Sequence, residues 1–225
     1  MHGVASFRSV RRVLQTLHRN CSRKTYARLA QRGTIIAMPN YLRARDPGGT
    51  YFFTVVTEGR QRLFDDSFAR DLLAAAIRET LEERPVTVRA MVLLPDHFHA
   101  VWTLPENDSD YSTRLSVIKR RFATRYLAGG GSEHARSASR IRNRRRGVWQ
   151  RRFWEHVVRA DEFEEIAAYI HFNPVKHGLV RCPHEWPWST FQDWVADGRL
   201  PSDWECTCGT PRSPRAFAAW FDACE

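Results

Sequence analysis

The spacing of apolar positions divides residues 51–173 into seven predicted elements. Runs that alternate, or that are rich in β-branched and aromatic residues, predict four strands, over residues 51–57, 86–94, 97–103 and 153–158. Apolar residues three and four apart predict three helices, over residues 65–84, 113–127 and 161–173, the last of them ended by Pro174. The resulting order is β-α-β-β-α-β followed by one more helix.

This order predicts an α+β fold of the ferredoxin-like, split β-α-β type. Such a fold has an antiparallel sheet with two helices on one face, and here a further C-terminal helix follows the last strand. Beyond this helix we expect a tail that packs back on the domain, because it is rich in tryptophan: Trp186, Trp188, Trp194, Trp204 and Trp220. We expect one domain over residues 38–205, between a basic extension (1–37) and a C-terminal tail (206–225).

Composition narrows the class of protein. The 225 residues are 43% hydrophobic and 27% charged, which is typical of a folded globular chain. No stretch is long and apolar enough for a membrane helix, so we expect no membrane association and a cytoplasmic location. Five cysteines are too few for a secreted disulfide framework, and Cys206, Cys208 and Cys224 show no strong metal-binding spacing.

Positive charge is concentrated in two segments. The net charge is +10; residues 1–37 carry +8 with no acidic residue, and residues 114–152 carry +12 with Glu133 as their one acid. Arginine outnumbers lysine by 32 to 3, and its planar guanidinium suits phosphate. A GC-rich genome explains the preference for arginine but not the clustering, so the second cluster predicts a nucleic-acid surface.

The first cluster has a different interpretation. An acid-free, arginine- and serine-rich leader is also typical of a transit peptide. We favour an upstream extension, with translation starting at Met38.

The sharpest chemical feature is the sequence His97-Phe98-His99 on a predicted strand. Because side chains alternate along a strand, both imidazoles lie on one face, about 7 Å apart, and can share a divalent metal. Two ordinary histidines on a half-buried strand are the alternative. The position just after Leu-Pro-Asp96, at the start of the strand, favours a site.

The predicted helix before Pro174 carries the second feature. Tyr169 and Asn173 lie one turn apart on the stripe next to its apolar face. Asn173 can offer an amide oxygen to a metal, with Tyr169 beside it. Considered alone, these residues are better explained as a buried tyrosine and a helix-capping asparagine, and only the two motifs together favour a site.

Four motifs in this order resemble those of the REP-associated tyrosine transposases, bacterial members of the HUH single-tyrosine nuclease superfamily. The resemblance covers residues 41–204 and rests on Leu-Pro-Asp before His97-Phe98-His99, and on residues 149–156, 169–178 and 186–191. It implies a ferredoxin-like nuclease core, a divalent metal (Mg²⁺ or Mn²⁺), and cleavage of single-stranded DNA beside a hairpin of REP-like repeats. The 37-residue leader and a long insertion around residues 128–146 depart from the family pattern.

By position, the resemblance implies Tyr169 as the nucleophile, His97 and His99 as metal ligands, and Asn173 as the third ligand, where many relatives carry glutamine. It also implies a monomer with the tyrosine acting in cis. From the charge pattern we expect a DNA-contact surface made of Arg120, Arg121, Arg125, Arg142, Arg144, Arg145, Arg146, Arg151 and Arg152, with bases stacking on Trp149. Core packing is the alternative for Trp149.

Three other functions compete with a metal-dependent DNA nuclease and strand transferase. A DNA-hairpin binding protein without catalysis is the main alternative, but it has no need of His97, His99 and Tyr169 together. An RNA-binding ferredoxin-like module is less well supported, because it would expose aromatic residues where His97 and His99 stand. A structural zinc site through the tail cysteines is the weakest, for want of a four-ligand spacing.

Overall fold

A computed structural model describes residues 45–208, which belong to one structural unit. It contains four strands: β1 (Thr50–Val56), β2 (Thr87–Leu93), β3 (His97–Thr103) and β4 (Trp154–Val157). Its helices are α1 (Ser67–Glu83), α2 (Tyr111–Ala128), α3 (Ala138–Arg142), α4 (Phe163–Lys176) and α5 (Phe191–Ala196). The predictions for the 1–37 leader and for residues 209–225 of the tail lie outside the described residues.

The four strands form one antiparallel sheet in the order β2-β3-β1-β4. This is the strand order of the predicted split β-α-β fold, which is therefore confirmed. β3 is central, and its His99 lies opposite Thr54 of β1 and Val92 of β2. β3 is thus paired with a strand along each edge, and its side chains are buried on both faces of the sheet.

One face of the sheet forms the main hydrophobic core with α1 and α2. Phe53, Phe98 and Trp102 project from the strands into this core, and the rings of Phe53 and Trp102 lie 5.2 Å apart. Leu73 of α1 and Phe122 of α2 are fully buried against them. Burial of each such side chain stabilises the fold by about 1.5–3 kcal/mol relative to exposure, so this face is the chief source of stability.

Aspartates begin the two long helices. The Asp66 carboxylate accepts the backbone N–H of Phe68 (3.1 Å), and that of Asp110 accepts the N–H of Thr113 (3.0 Å). Each bond satisfies one of the amide groups that the first helical turn leaves open. Since Asp110 is the cap, α2 begins two residues before the predicted Thr113, and its first residue, Tyr111, is buried in the core.

α4 packs on the opposite face of the sheet, and the prediction that Pro174 ends it is wrong. The helix continues to Lys176. Proline removes one helical hydrogen bond. The last turn still forms after Pro174, because the N–H of His177 donates to the carbonyl of Asn173 (3.0 Å). The extra turn places Lys176 and His177 near the residues that precede the proline.

The segment after α4 packs back on the sheet, as its tryptophans predicted. The indole N–H groups of Trp186 and Trp194 donate to the carbonyls of Leu93 (2.9 Å) and Arg89 (3.0 Å). His171 of α4 bonds Thr190 (3.0 Å). Burial, with a smaller effect from the Arg199 charge, lowers the pKa of His171 to about 3, so this imidazole is neutral.

Within residues 45–208, none of the helices has the length and apolar character needed to cross a membrane.

Candidate active site

His97 and His99 lie on the sheet face that α4 covers. Their ring centroids are 4.8 Å apart, and both side chains are buried. Phe98, between them, points into the opposite core. The strand alternation predicted from the sequence is therefore confirmed, and it brings two imidazoles together where a hydrocarbon core would otherwise continue.

Each imidazole is oriented through its Nδ1 atom. Nδ1 of His97 lies 2.6 Å from Oδ1 of Asp96, and Nδ1 of His99 lies 2.9 Å from the hydroxyl of Thr54. Arg60 donates to the other carboxylate oxygen of Asp96 (3.0 Å). These contacts engage the Nδ1 edge of each ring, and Nε2 of His97 is buried with no hydrogen-bond partner in residues 45–208.

Asp96 is ionised in this arrangement. Burial opposes its charge, but the hydrogen bonds from His97 and Arg60 and the guanidinium charge of Arg60 outweigh burial and hold the pKa of the carboxyl below its usual range. A carboxylate behind a histidine fixes the ring and makes its far nitrogen a better ligand. The sequence analysis gave Asp96 no role, although its place before His-Phe-His was visible; Thr54 and Arg60 had no sequence signal.

Tyr169 reaches the histidines from α4. Its ring is fully buried, 5.4 Å from the ring of His99 and 6.2 Å from that of Phe52. Lys176 lies about two turns further along α4, and its ammonium is 5.1 Å from the centre of the tyrosine ring. The candidate nucleophile thus lies between an imidazole and a cation.

Two more predicted or neighbouring residues lie at the same end of α4. Asn173, one turn after Tyr169, is fully buried. The ring of His177, which caps the helix, lies 5.6 Å from the ring of His97. The sequence analysis did not single out His177 because it follows Pro174, where the helix was expected to have ended.

The donor set fits a divalent cation. Two neutral imidazoles and a carboxamide oxygen are mixed nitrogen and oxygen donors, which suit Mn²⁺ well and Mg²⁺ acceptably. The buried, unbonded Nε2 of His97 is the type of atom that a bound cation satisfies. Because all these ligands are neutral, a cation held by them keeps its full charge.

Two arginines of the predicted DNA surface are used inside the fold. Arg125 makes two hydrogen bonds to the carboxylate of Glu79 (2.8 and 2.7 Å), and Arg121 pairs with Glu83 (2.5 Å). Both acids lie on α1, so these contacts join α2 to α1. The side chains face the helical layer, and their charges are already compensated.

The insertion between α2 and β4 holds a different group of arginines. Glu133 joins the two ends of the insertion, because its carboxylate accepts hydrogen bonds from the backbone N–H of Gly147 (2.6 Å) and from the guanidinium of Arg146 (3.1 Å). The other predicted contact arginines are exposed and have no ion-pair partner in residues 45–208: Arg120, Arg142, Arg144, Arg145, Arg151 and Arg152. Three of them lie in the insertion that departed from the family pattern.

Trp149 lies in the main core. It is 5% exposed, and its ring contacts those of Phe64 (5.7 Å) and Phe122 (5.2 Å). This burial favours core packing, the alternative role considered for Trp149, over base stacking.

Comparisons with known proteins agree with this arrangement. Residues 48–173 match the family described as "Transposase IS200 like". A REP-associated tyrosine transposase of Haemophilus influenzae is 38% identical over 168 residues, which cover 74% of this chain and 93% of the relative. Its counterpart in Escherichia coli K12 is 38% identical over 169 residues, covering 74% of this chain and 91% of the relative.

A solved structure is also similar. The REP-associated tyrosine transposase bound to a REP hairpin shares 36% sequence identity with this chain at a TM-score of 0.63, covering 81% of this chain and 96% of that one. The matched family region contains β1 to β3, both histidines, Tyr169 and Asn173. On this similarity in sequence and fold, the chain belongs to the IS200-like transposase family, among the REP-associated tyrosine transposases.

Proposed function

We propose that this chain is a metal-dependent, single-stranded DNA endonuclease and strand transferase that acts at repeat hairpins through a 5′-phosphotyrosine intermediate. The observation that carries the proposal is the position of Tyr169, whose buried ring lies 5.4 Å from that of His99, which is paired with His97 on the same sheet face. A nucleophile beside two oriented imidazoles is the arrangement that such a reaction requires.

His97, His99 and Asn173 are the residues that would hold the cation. A bound Mg²⁺ or Mn²⁺ neutralises a phosphate oxygen, which makes an anionic diester open to attack. Asp96 and Thr54 act on the ligands by holding their Nδ1 atoms (2.6 and 2.9 Å), so that each Nε2 remains available.

Tyr169 carries the covalent step. Its hydroxyl gives its proton to water and attacks phosphorus; the new Oη–P bond replaces the bond from phosphorus to the 3′ oxygen, which takes up a proton from water and leaves as a 3′-hydroxyl. An ordinary tyrosine hydroxyl has a pKa of about 10, so the phenolate needs support near neutral pH. The nearby ammonium of Lys176, 5.1 Å from the ring, favours the phenolate. The intermediate keeps the energy of the diester, so a second strand can be joined at the same site.

The exposed arginines of the insertion and of the segment before β4 would hold the hairpin stem through its phosphates. A solved relative is bound to a REP hairpin, which supports hairpin DNA as the partner. Trp149 is left out of this surface because it lies in the core. The proposal includes a monomer that acts in the bacterial cytoplasm at the nucleoid, where such repeats lie.

A hairpin-binding protein without catalysis is the second candidate. The exposed arginines and the hairpin-bound relative support binding equally well in both cases. Only the chemistry of Tyr169 separates the two, so the test has to detect a covalent bond to DNA.

The test uses labelled single-stranded DNA that carries repeat hairpins from the genome encoding this chain. We expect a covalent protein–DNA adduct with Mn²⁺ or Mg²⁺, and none with Tyr169→Phe. Tyr126→Phe is the matched control, since Tyr126 is also a helical tyrosine but packs on Phe122 on the other face of the sheet; this variant keeps the adduct. Tight hairpin binding without an adduct in the unchanged protein would favour the binding protein.

A further inference from the structure

Three cysteines from the two ends of the segment that follows α4 come together in the fold. Cys182 precedes the 3-10 turn Pro183–Glu185, and Cys206 and Cys208 lie beyond α5. The Sγ atom of Cys182 contacts the Sγ atoms of both other cysteines, whose Cα atoms are 4.4 and 6.8 Å from its own. One sulfur can form only one disulfide, so two disulfides cannot account for three thiols gathered at one point.

A metal centre does account for them. Nitrogen of His184 and the sulfurs of Cys182 and Cys206 lie within 4.8 Å of one another, and Cys182 also groups with Cys208. A carboxylate oxygen of Glu185 belongs to this second group of donors. Thiolates and imidazole are the ligands of structural zinc, whereas Mg²⁺ and Mn²⁺ favour oxygen.

The turn around Cys182 is built to present its ligands. One carboxylate oxygen of Glu185 accepts the backbone N–H groups of Arg181 (2.9 Å) and Cys182 (3.2 Å), which fixes the turn. Thr207 donates its hydroxyl to the carbonyl of Arg181 (2.8 Å), so the Cys206-Thr-Cys208 stretch is held beside the turn. Cys182 itself is fully buried, while Cys208 lies at the surface.

We propose that Cys182, His184, Cys206 and Cys208 form a structural zinc site. The site joins the two ends of a segment in which Cys182 and Cys208 are 26 residues apart and whose longest helix is the six-residue α5. So short a segment has little core of its own, and a metal clamp supplies stability that packing does not. The clamp fastens the residues that follow α4 and so supports the helix that carries Tyr169. The proposal does not depend on the proposed function.

Zinc content of the full chain is the first measurement. We expect about one zinc per chain by elemental mass spectrometry, after expression with zinc and desalting under reducing conditions, and loss of this zinc in Cys182→Ser. Cys182 is the ligand to change because both groups of donors share it. Cys21→Ser, the matched control, keeps the metal. An unchanged zinc content in Cys182→Ser would overturn the site. The site would also be overturned if the chain contained no zinc and a proteolytic digest made without reductant contained a disulfide of Cys182.

The paired histidines also bind metals, so the two sites have to be separated. The double variant His97→Ala, His99→Ala keeps its zinc if the cysteine site is correct, and loses it if zinc binds at the catalytic face instead. The adduct assay judges the proposed function separately, so a failure of one proposal is distinguishable from a failure of the other.

A measurement on the unchanged chain covers the case in which Cys182→Ser fails to fold. A mercurial thiol reagent should release zinc in step with the modification of three thiols, and cobalt in place of zinc should show thiolate-to-metal charge-transfer absorption in the near ultraviolet. Zinc that stays bound after all thiols react, or cobalt without this absorption, would contradict thiolate ligation.

The fourth ligand has its own test. His184→Gln should lose zinc to a chelator at least about tenfold faster than the unchanged chain, since it removes a ligand, and Glu185→Gln should lose it more slowly than His184→Gln. The reverse order would overturn His184 as a ligand in favour of Glu185.

Discussion

The two faces of the central sheet differ in chemistry although the same strands build both. On β3, Phe98 and Trp102 point into a hydrocarbon core with α1 and α2, whereas His97 and His99 point toward α4. Both faces are buried to the same degree. Burial alone therefore does not separate a stabilising face from a reactive one; the chemistry of the buried groups does.

The polar face carries an energetic cost that the apolar face does not. A buried polar group without a hydrogen bond costs about 1–3 kcal/mol, and the bonds from Asp96 and Thr54 offset this for one nitrogen of each histidine. The buried Nε2 of His97 has no such compensation within the described part of the chain. A fold that keeps this arrangement gains stability elsewhere, from the face of Phe98 and Trp102.

The largest change we expect is in stability, from Trp102→Ala on the apolar face. Trp102 is fully buried and packs edge-on against Phe53 (5.2 Å). Its truncation should lower the free energy of unfolding by about 3–5 kcal/mol in urea titrations. Adduct formation per folded molecule should stay near that of the unchanged protein. A large loss of adduct in the folded fraction would show that the two faces are not separable.

His99→Leu reverses this pattern on the other face. The rate of adduct formation should fall at least about 10²–10³-fold, because the variant removes a proposed metal ligand beside Tyr169. The free energy of unfolding should change by no more than about 1–2 kcal/mol, since an apolar side chain replaces a buried polar one while Thr54 loses its partner. A loss of stability as large as that of Trp102→Ala would assign His99 to the core instead.

Asp96→Asn tests the support behind His97. Replacing the carboxylate should weaken the affinity for the metal and lower the rate of adduct formation about 10–100-fold, as substitutions of groups that orient a metal ligand do. Higher Mn²⁺ should restore part of the rate, which a purely structural role would not allow. The measurement is the metal concentration at half-maximal adduct formation. Arg121→Gln is the control, because Arg121 pairs with Glu83 between α2 and α1, on the other face of the sheet.

The arginines allow a comparison between exposed and compensated charges. The triple variant Arg142→Gln, Arg144→Gln, Arg145→Gln should make the salt dependence of hairpin binding less steep, by about one unit of the logarithmic slope for each phosphate that is no longer neutralised. Arg121→Gln with Arg125→Gln should leave the slope unchanged, because Glu79 and Glu83 already compensate those charges. Equal changes in the two variants would contradict this division.

The smallest effect concerns acid stability on the apolar side. Arg114 is buried and donates to Asp108 (2.6 Å); this bond, and then the N–H of Asp110, lower the pKa of the Asp108 carboxyl. The stabilisation is thus present at neutral pH, and is lost as pH falls below about 4 and through the folded-state pKa. Asp108→Asn should cost about 1 kcal/mol at pH 7 in urea titrations, with the difference from the unchanged protein narrowing below pH 4.

Much of the site was accessible from local pattern. Strand alternation put His97 and His99 on one face, and helical spacing put Tyr169 beside Asn173. These patterns act over two to four residues, so one sequence is enough to detect them. The end of α4 was misjudged because a proline weakens a helix locally, while the fate of its last turn depends on the bond from His177 to Asn173.

Contacts between distant parts of the chain were not accessible. Nothing near Arg121 or Arg125 indicated that acids about 40 residues earlier compensate them. The same holds for the cysteines: Cys206 and Cys208 show no four-ligand spacing in the sequence, and only the fold brings Cys182 and His184 near Cys206.

The sequence by itself determined the order of elements, the faces of each strand and helix, and the residues able to carry the chemistry. These follow from backbone geometry that repeats every two or 3.6 residues, whatever the rest of the chain does. Tertiary structure alone decided which charges face solvent, which groups orient His97 and His99, and which sulfurs meet. Those outcomes depend on contacts between residues far apart in the sequence, such as Cys182 and Cys206, which are 24 residues apart. Only the packing of the sheet and helices determines which of these residues come into contact.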